Sequence, residues 1–214
     1  MIHKIKADTF FNEEERQRIT KAIHDIETRT IGEVAVMVAD SSDRYHETET
    51  MGGVVLGSLM SLIAAVAFFH SSIWWYISLS FLFLFPSKYL FQKIAVLKIA
   101  FIGMRRKEDA VMQKAVRTFY EKGLYKTKKN TGVLFFLSLL ERKVWVLADK
   151  GIYAKIGQDT LNKFAATVSQ GIKEGRACDS LCKAIEMSGE LLAKHFPITP
   201  DDINELPDQV MTED

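Results

Sequence analysis

At 214 residues the length suits one domain, or one domain plus a membrane element, and with 28 Lys and Arg against 27 Asp and Glu the net charge of +1 gives no global pull toward nucleic acid or another polyanion. Two cysteines, Cys178 and Cys182, are too few for a disulfide framework. The mean hydropathy of +0.01 hides a division: Thr50–Ser87 contains no Asp, Glu, Lys or Arg, while the rest is charged at ordinary soluble density.

Met1–Phe10 holds two lysines and lacks the apolar core of a cleavable signal peptide. Asn12–Thr30 reads as an amphipathic helix. Asn12 or Thr9 can cap it, and Glu13, Glu14 and Glu15 occupy the first turn, where the helix dipole favours negative charge. Ile19, Ala22, Ile23 and Ile26 recur at three- and four-residue steps and mark its buried face. Glu33–Ala39 follows as a strand whose unbroken apolar run suits a position covered on both faces. Asp40-Ser41-Ser42-Asp43 is its polar exit, and the helix–strand opening suggests an α/β layer domain.

Thr50–Ser87 interrupts that domain. Its length is roughly two bilayer crossings at about 20 residues each. Met51–Phe69 forms one apolar block, His70-Ser71-Ser72 a polar break, and Ile73–Phe85 the start of a second block, so the pattern predicts a transmembrane helical hairpin. Gly53 and Gly57 have the Gly-x-x-x-Gly spacing that lets another helix approach closely. The second arm of the same hairpin is the first choice of partner, and an oligomer through Gly53 and Gly57 is the alternative. Trp74, Trp75 and Tyr76 lie where an interfacial aromatic belt would sit. Pro86 and Lys88 mark the far boundary, with the helix extending to Phe91 and Lys88 snorkelling. The loop carries no Lys or Arg, whereas Arg44, Lys88, Lys93, Lys98, Arg105, Arg106 and Lys107 flank the hairpin. The positive-inside rule then puts both termini in the cytoplasm of a multi-pass protein of the inner (plasma) membrane. A hairpin buried in a soluble protein is disfavoured, because so small a domain could hardly cover so long an uncharged run.

Tyr89–Met104 is apolar but carries Lys93 and Lys98. A third crossing would cost roughly 3 kcal/mol per lysine near mid-membrane. A helix leaving the membrane, or lying in the interface with its basic side on anionic headgroups, is the preferred reading. Glu108–Lys122 continues helically through Ala110, Val111, Ala115, Val116 and Phe119 to a stop at Gly123. Thr131–Leu140 and Lys143–Ala148 are strands joined by Glu141-Arg142, too short a link for a crossover, and therefore an antiparallel hairpin. A helix from Asp159 or Thr160 to Lys173 buries Leu161, Phe164, Val168 and Ile172. A second, Ala177–Phe196, buries Leu181, Ile185, Leu191 and Leu192 before Pro197 closes it. Ile198–Asp214 has six acids and no Lys or Arg, and is expected to be flexible or peripherally docked. The predicted organisation is therefore residues 1–49 and 108–197 as two parts of one domain, 50–91 as the hairpin, 92–107 as an interfacial or membrane-exit helix, and 198–214 as an acidic tail.

Three stretches carry a family resemblance. The first runs from Phe11-Asn12-Glu13 through Arg29-Thr30-Ile31-Gly32-Glu33 into Val34–Val38 and Ser42-Asp43-Arg44-Tyr45. The second is Thr131-Gly132-Val133-Leu134 with Glu141-Arg142 and Leu147-Ala148-Asp149-Lys150-Gly151-Ile152. The third is Ala193-Lys194-His195-Phe196-Pro197 with Asn204-Glu205-Leu206-Pro207. Together they resemble the TPM domain family, whose name joins a thylakoid lumen phosphatase, a photosystem II repair protein and a modulator of levamisole receptors, and within it the bacterial membrane-protein branch. The resemblance implies an α/β fold, a sheet of about four strands with helices on both faces, here interrupted by the transmembrane hairpin. It also implies a choice among acid phosphatase activity, divalent-cation (often calcium) binding, photosystem repair and receptor modulation, which fold analogy does not make.

Carboxylates at strand ends are the candidate chemistry. If the first two strands are parallel, Asp40, Asp43 and Glu141 share one end of the sheet, where hard cations such as calcium favour several oxygens together. The bland reading is that they are turn residues, since Asp40–Asp43 lacks the spacing of a dedicated calcium loop. Cys178 and Cys182 share a helix face and read as small apolar packing. Phosphate-binding loops, Asp-x-Asp pairs and Gly-x-Ser-x-Gly elbows are not in the sequence, which leaves a metal–carboxylate hydrolase, phosphatase-like, as the runner-up. The basic stretch Lys93–Lys107 has no interleaved exposed aromatics, so lipid headgroups explain it better than nucleic acid. The leading expectation is a non-catalytic integral membrane protein that binds or modulates a membrane-protein partner, with a divalent cation as an optional ligand.

Overall fold

Residues 6–69, 72–127, 129–199 and 206–213 are described by the computed structural model. The polar break at His70 and Ser71, and Asn204-Glu205 of the third resemblance stretch, lie outside them. The chain divides into two units, Met1–Ser42 with Glu108–Asp214, and Asp43–Lys107.

The first unit begins with a one-turn helix α1 (Ala7–Phe10) and α2 (Glu13–Glu27). Asn12 caps α2 in a full capping box: its side chain accepts from the Glu15 N–H at 2.8 Å, and the Glu15 carboxylate accepts from the Asn12 N–H at 2.9 Å. Strand β1 (Glu33–Ala39) is buried at every position, as its unbroken apolar run requires.

Across the sequence interruption, β2 (Gly132–Ser138) pairs in parallel with β1, from Glu33 against Gly132 to Ala39 against Ser138. Strand β3 (Lys143–Ala148) returns antiparallel to β2. The tight link places Arg142 in the left-handed region at φ 53°.

The end of the acidic tail docks on the sheet as an edge strand. Met211–Glu213 forms β4, parallel to β1, so the sheet order is β3-β2-β1-β4. The Asp40 N–H donates to the Glu213 carbonyl at 2.9 Å, and Lys114 pairs with the Glu213 carboxylate. Three residues cannot display a strand period, which is why the segment reads as acidic composition alone.

Helices cover both faces of this sheet. On one face Val34, Val36, Val38, Val133, Phe135 and Leu137 join Ile19, Ile23 and Ile26 of α2 in a single core. The helices α7 (Lys150–Lys173) and α8 (Ala177–His195) complete it through Leu161, Phe164, Val168, Leu181, Ile185 and Leu192. On the other face Ala35, Met37, Leu134 and Phe136 meet Val111, Ala115 and Phe119, which belong to a helix spanning Met104–Glu121. Burying each large apolar side chain is worth about 1.5–3 kcal/mol, and both faces need their cover.

Helix α7 starts nine residues before the predicted Asp159: Asp149 caps it and Ile152 is fully buried. Gly157, at φ 71° and ψ 166°, kinks it, and this glycine with Gly151 hides the first turns from a reading by propensity.

In the second unit, α3 (His46–Phe68) and α4 (Ile73–Lys93) pack along each other, α4 extending two residues past the predicted Phe91. The predicted Tyr89–Met104 helix is broken. It stops at Ile94, resumes as the short α5 (Ala95–Phe101), and stops again before the helix α6 that begins at Met104.

Candidate functional site

The parallel pairing of β1 and β2 brings Asp40 and Glu141 to the same end of the sheet, the carboxyl end of the parallel strands, where open α/β sheets commonly place ligands. Their oxygens are engaged there. The Ala7 N–H donates to Asp40 Oδ1 at 2.6 Å, and the Leu140 N–H to the Asp40 carbonyl at 2.9 Å. Glu141, 5% exposed, accepts from the Ser42 N–H at 3.0 Å and from the Ser138 hydroxyl, and Ser42 Oγ bonds Ser138 Oγ at 2.8 Å. This network ties the β1 exit to the β2–β3 turn.

Asp43 belongs to the second unit and bonds Arg106, whose guanidinium also reaches Glu47 at 3.0 Å and lies 5.3 Å from the Tyr45 ring centre. Burial works against the charged form of Asp43, but the Arg106 side chain and the Arg44 N–H outweigh it and hold the carboxyl below its usual range. Among the described residues no group of three His, Cys, Asp or Glu is arranged to hold a metal ion.

The α3–α4 hairpin keeps its small residues inside and its large apolar ones outside. Gly53, Gly57, Ser61 and Ala65, spaced four apart, are buried along the seam with Gly52. A Cβ on Gly53 would lie 2.9 Å from Lys88 Cα, and one on Gly57 would lie 3.2 Å from the Phe83 carbonyl, so both glycines serve α3–α4 contact. Gly52 faces the Phe91 ring. The large side chains point away: Phe68 is 77% exposed, Trp74 77%, Phe81 69% and Phe85 73%. Ser58 and Tyr76 hydroxyls bond across the seam at 2.7 Å, and Phe69 stacks on Trp75 at 4.3 Å. Helix His46–Phe68 is, among the described residues, the one long and apolar enough to cross a membrane by length and composition.

Of the predicted interface lysines, Lys93 is exposed and Lys88 half-buried. Lys98 turns inward to Glu49 at 2.6 Å, with only 14% and 7% of the two side chains exposed. A buried carboxylate one residue before the uncharged run draws it in, a contact across 49 positions that sequence spacing does not reveal.

A third cluster escaped the sequence reading. Burial pushes the Glu27 carboxyl up to about 8, and the neighbouring Glu33 and Asp208 reinforce it against the favourable Val34 N–H. Asp208 also lies 3.3 Å from His24 Nδ1 beside a groove of about 700 Å³ along α2. Burial raises both the Cys178 and the Cys182 thiol, Cys182 to about 12, which disfavours the thiolate.

Comparison with known proteins gives two matches. Residues 93–190 match the family model of the TPM domain. Among solved structures, the NMR structure of the BA42 protein from the psychrophilic bacterium Bizionia argentinensis is similar at a TM-score of 0.61 and 22% identity, covering 97% of this chain and 98% of that one. At that identity the likeness is one of fold, a mixed α/β architecture with a four-stranded sheet. No curated protein matches.

Proposed function

We propose that this chain sets its TPM domain at the cell inner (plasma) membrane, where the domain binds or modulates a membrane-protein partner without catalysing a reaction. The hairpin is the anchor in this reading. The observation that carries it is the inverted packing of α3 and α4: small residues fill the seam and large apolar ones face outward. In water that arrangement would expose far more contiguous apolar surface than a monomer tolerates. In lipid it is how helices pack, because tails solvate the large side chains and small ones let the backbones meet. The cations flanking the hairpin, and the loop without them, favour cytoplasmic termini.

The carboxyl end of the sheet speaks for partner binding over hydrolysis. The Asp40 and Glu141 oxygens already accept from Ala7, Ser42 and Ser138, which leaves this end a closed structural network instead of an open coordination position. A divalent cation, if one acts, would have to displace those bonds.

Cysteine accessibility tests the anchor. In a Cys178→Ala, Cys182→Ala background, Ser71→Cys is expected to react with an impermeant thiol reagent in intact cells, and Ser41→Cys only after permeabilisation. Labelling of Ser41→Cys from outside would invert the topology. Recovery of the protein from the soluble fraction would overturn the membrane reading.

A further inference from the structure

The first unit carries a basic surface that neither the sheet-end network nor the hairpin uses. It is built from the segment following Glu121 and the start of α7. A turn of 3₁₀ helix, Leu124–Lys126, closes on the Gly123 carbonyl at 2.8 Å, with Gly123 at φ 77°. Leu124 is fully buried, and Thr127 Oγ1 accepts from the Thr131 N–H at 2.9 Å. Asn130 then takes a left-handed φ of 55° before β2 begins. The start of α7 lies against this loop, since a Cβ on Gly151 would sit 3.2 Å from the Lys129 carbonyl. Leu124 and Thr127 thus tie this stretch to the core, and Lys129 and Asn130 meet the start of α7.

Its outer side is basic and aromatic. Lys122, Lys126, Lys129 and Lys150 are exposed, and none makes an ion pair among the described residues. Tyr120 is 59% exposed and Tyr125 41%; their rings lie 5.2 Å apart, and Lys126 Nζ stands 5.6 Å from the Tyr125 ring centre. The nearest acid on the preceding helix, Glu121, is taken up by Arg117 at 2.7 Å. In a chain with a net charge of only +1, this is a local cationic excess.

We propose that Lys122, Lys126, Lys129 and Lys150, on the segment that carries the Tyr120–Tyr125 pair and on the start of α7 beside it, form the docking surface for an acidic segment of a partner protein. The proposal rests on the partner-binding reading above and gives that partner its chemistry. Ammonium and phenol groups donate to carboxylates, and charge complementarity of this kind steers association and fixes orientation. A nucleic acid fits less well: the two tyrosines pack on each other and Lys126 stands beside the Tyr125 ring, contacts that compete with the stacking of a base. Glu121 is exposed next to Lys122, so a flat anionic bilayer would meet that acid with the lysines, whereas a linear acidic segment can follow the cations past it.

Fluorescence anisotropy on the full chain in nanodiscs of neutral lipid tests this with a labelled octaglutamate peptide as probe. Lys122→Gln, Lys126→Gln, Lys129→Gln and Lys150→Gln together are expected to weaken binding at least tenfold at low salt. Lys21→Gln, Lys163→Gln, Lys173→Gln and Lys183→Gln, which remove as many exposed lysines elsewhere on this unit, are expected to change it less than twofold. Equal losses in the two variants would reduce the effect to bulk charge and overturn the proposal. So would tighter binding of oligo(dT), or of phosphatidylglycerol vesicles, than of the peptide through the same four lysines. Photo-crosslinkers at Lys126 and at Lys183 in native membranes separate the two levels. Crosslinks to an acidic segment of a membrane protein from position 126 support the surface. Crosslinks from position 183 alone keep the partner and refute the surface, and none from either position counts against both.

Discussion

At the scale of single residues, the energetics are set by where carboxylates find donors. Asn12 and Glu15 exchange backbone bonds at the start of α2, and Glu141 ties Ser42 to Ser138. Glu27 is the exception, a half-buried acid among acids. The folded chain holds its proton up to about pH 8, whereas the unfolded chain loses it near the ordinary value of 4.5. Between those values the folded state binds the extra proton, so this group makes stability fall as pH rises through that window. Glu27→Gln keeps an acceptor for the Val34 N–H and removes the titration. It is expected to stabilise the protein by roughly 1–2 kcal/mol at pH 8, after discounting for solvent screening, and by clearly less at pH 5. Denaturation at the two pH values measures it, and equal gains at both would mean that ionisation is not the cause. This cluster was illegible in the sequence, because Glu27 and Asp208 meet only once the chain has closed its sheet. Asp40 and Glu141 were legible as strand-end acids, but the serine and backbone donors that occupy them were not.

At the scale of elements, continuity of apolar sequence was the reliable signal. Val34–Val38 and Val133–Leu137 have no polar alternation, and both strands are covered on two faces. Signals failed where an element is too short for a period, as in β4, or is opened by glycine, as in the first turns of α7. The seam of the hairpin was half legible. Gly53 and Gly57 stand out, yet the same four-residue step continues through Ser61 to Ala65. Gly57 is a position where this seam tolerates little, because a Cβ there would already lie 3.2 Å from the α4 backbone at Phe83. Gly57→Leu is expected to force the helices apart at a cost of about 1–3 kcal/mol, as overpacking of a closed contact does. Val54→Leu, on the outward side of the same helix, should stay within about 0.5 kcal/mol of the parent. Thermal denaturation of both variants in one detergent makes the comparison. A Gly57→Leu protein as stable as Val54→Leu would show that the helices do not meet along this seam.

At the scale of the whole molecule, one α/β unit is assembled from two pieces of chain with a second unit encoded between them. β1 comes from before the insertion and β2 from after it, yet they pair over seven positions at the centre of the sheet. Neither core cluster of the sheet contains a residue from Asp43–Lys107. On that ground the insertion is expected to act toward the α/β unit as a long loop. Loop closure depends only weakly on length, about 0.6 kcal/mol per doubling, so a shorter connection should not destabilise the sheet. Replacing residues 43–107 by a Gly/Ser linker of about 12 residues, which reaches roughly 20 Å, is accordingly expected to give a water-soluble protein. It should unfold cooperatively without detergent and keep the native near-ultraviolet signal of Trp145, the tryptophan that packs against the sheet's second core. The full chain should need detergent or lipid to stay dispersed, because its outward apolar helices remain. An excised protein that collapses without fixed tertiary signals would show that the hairpin helps to fold the domain it interrupts. A full chain that is monomeric and stable in plain buffer would instead remove the reason for placing the hairpin in lipid.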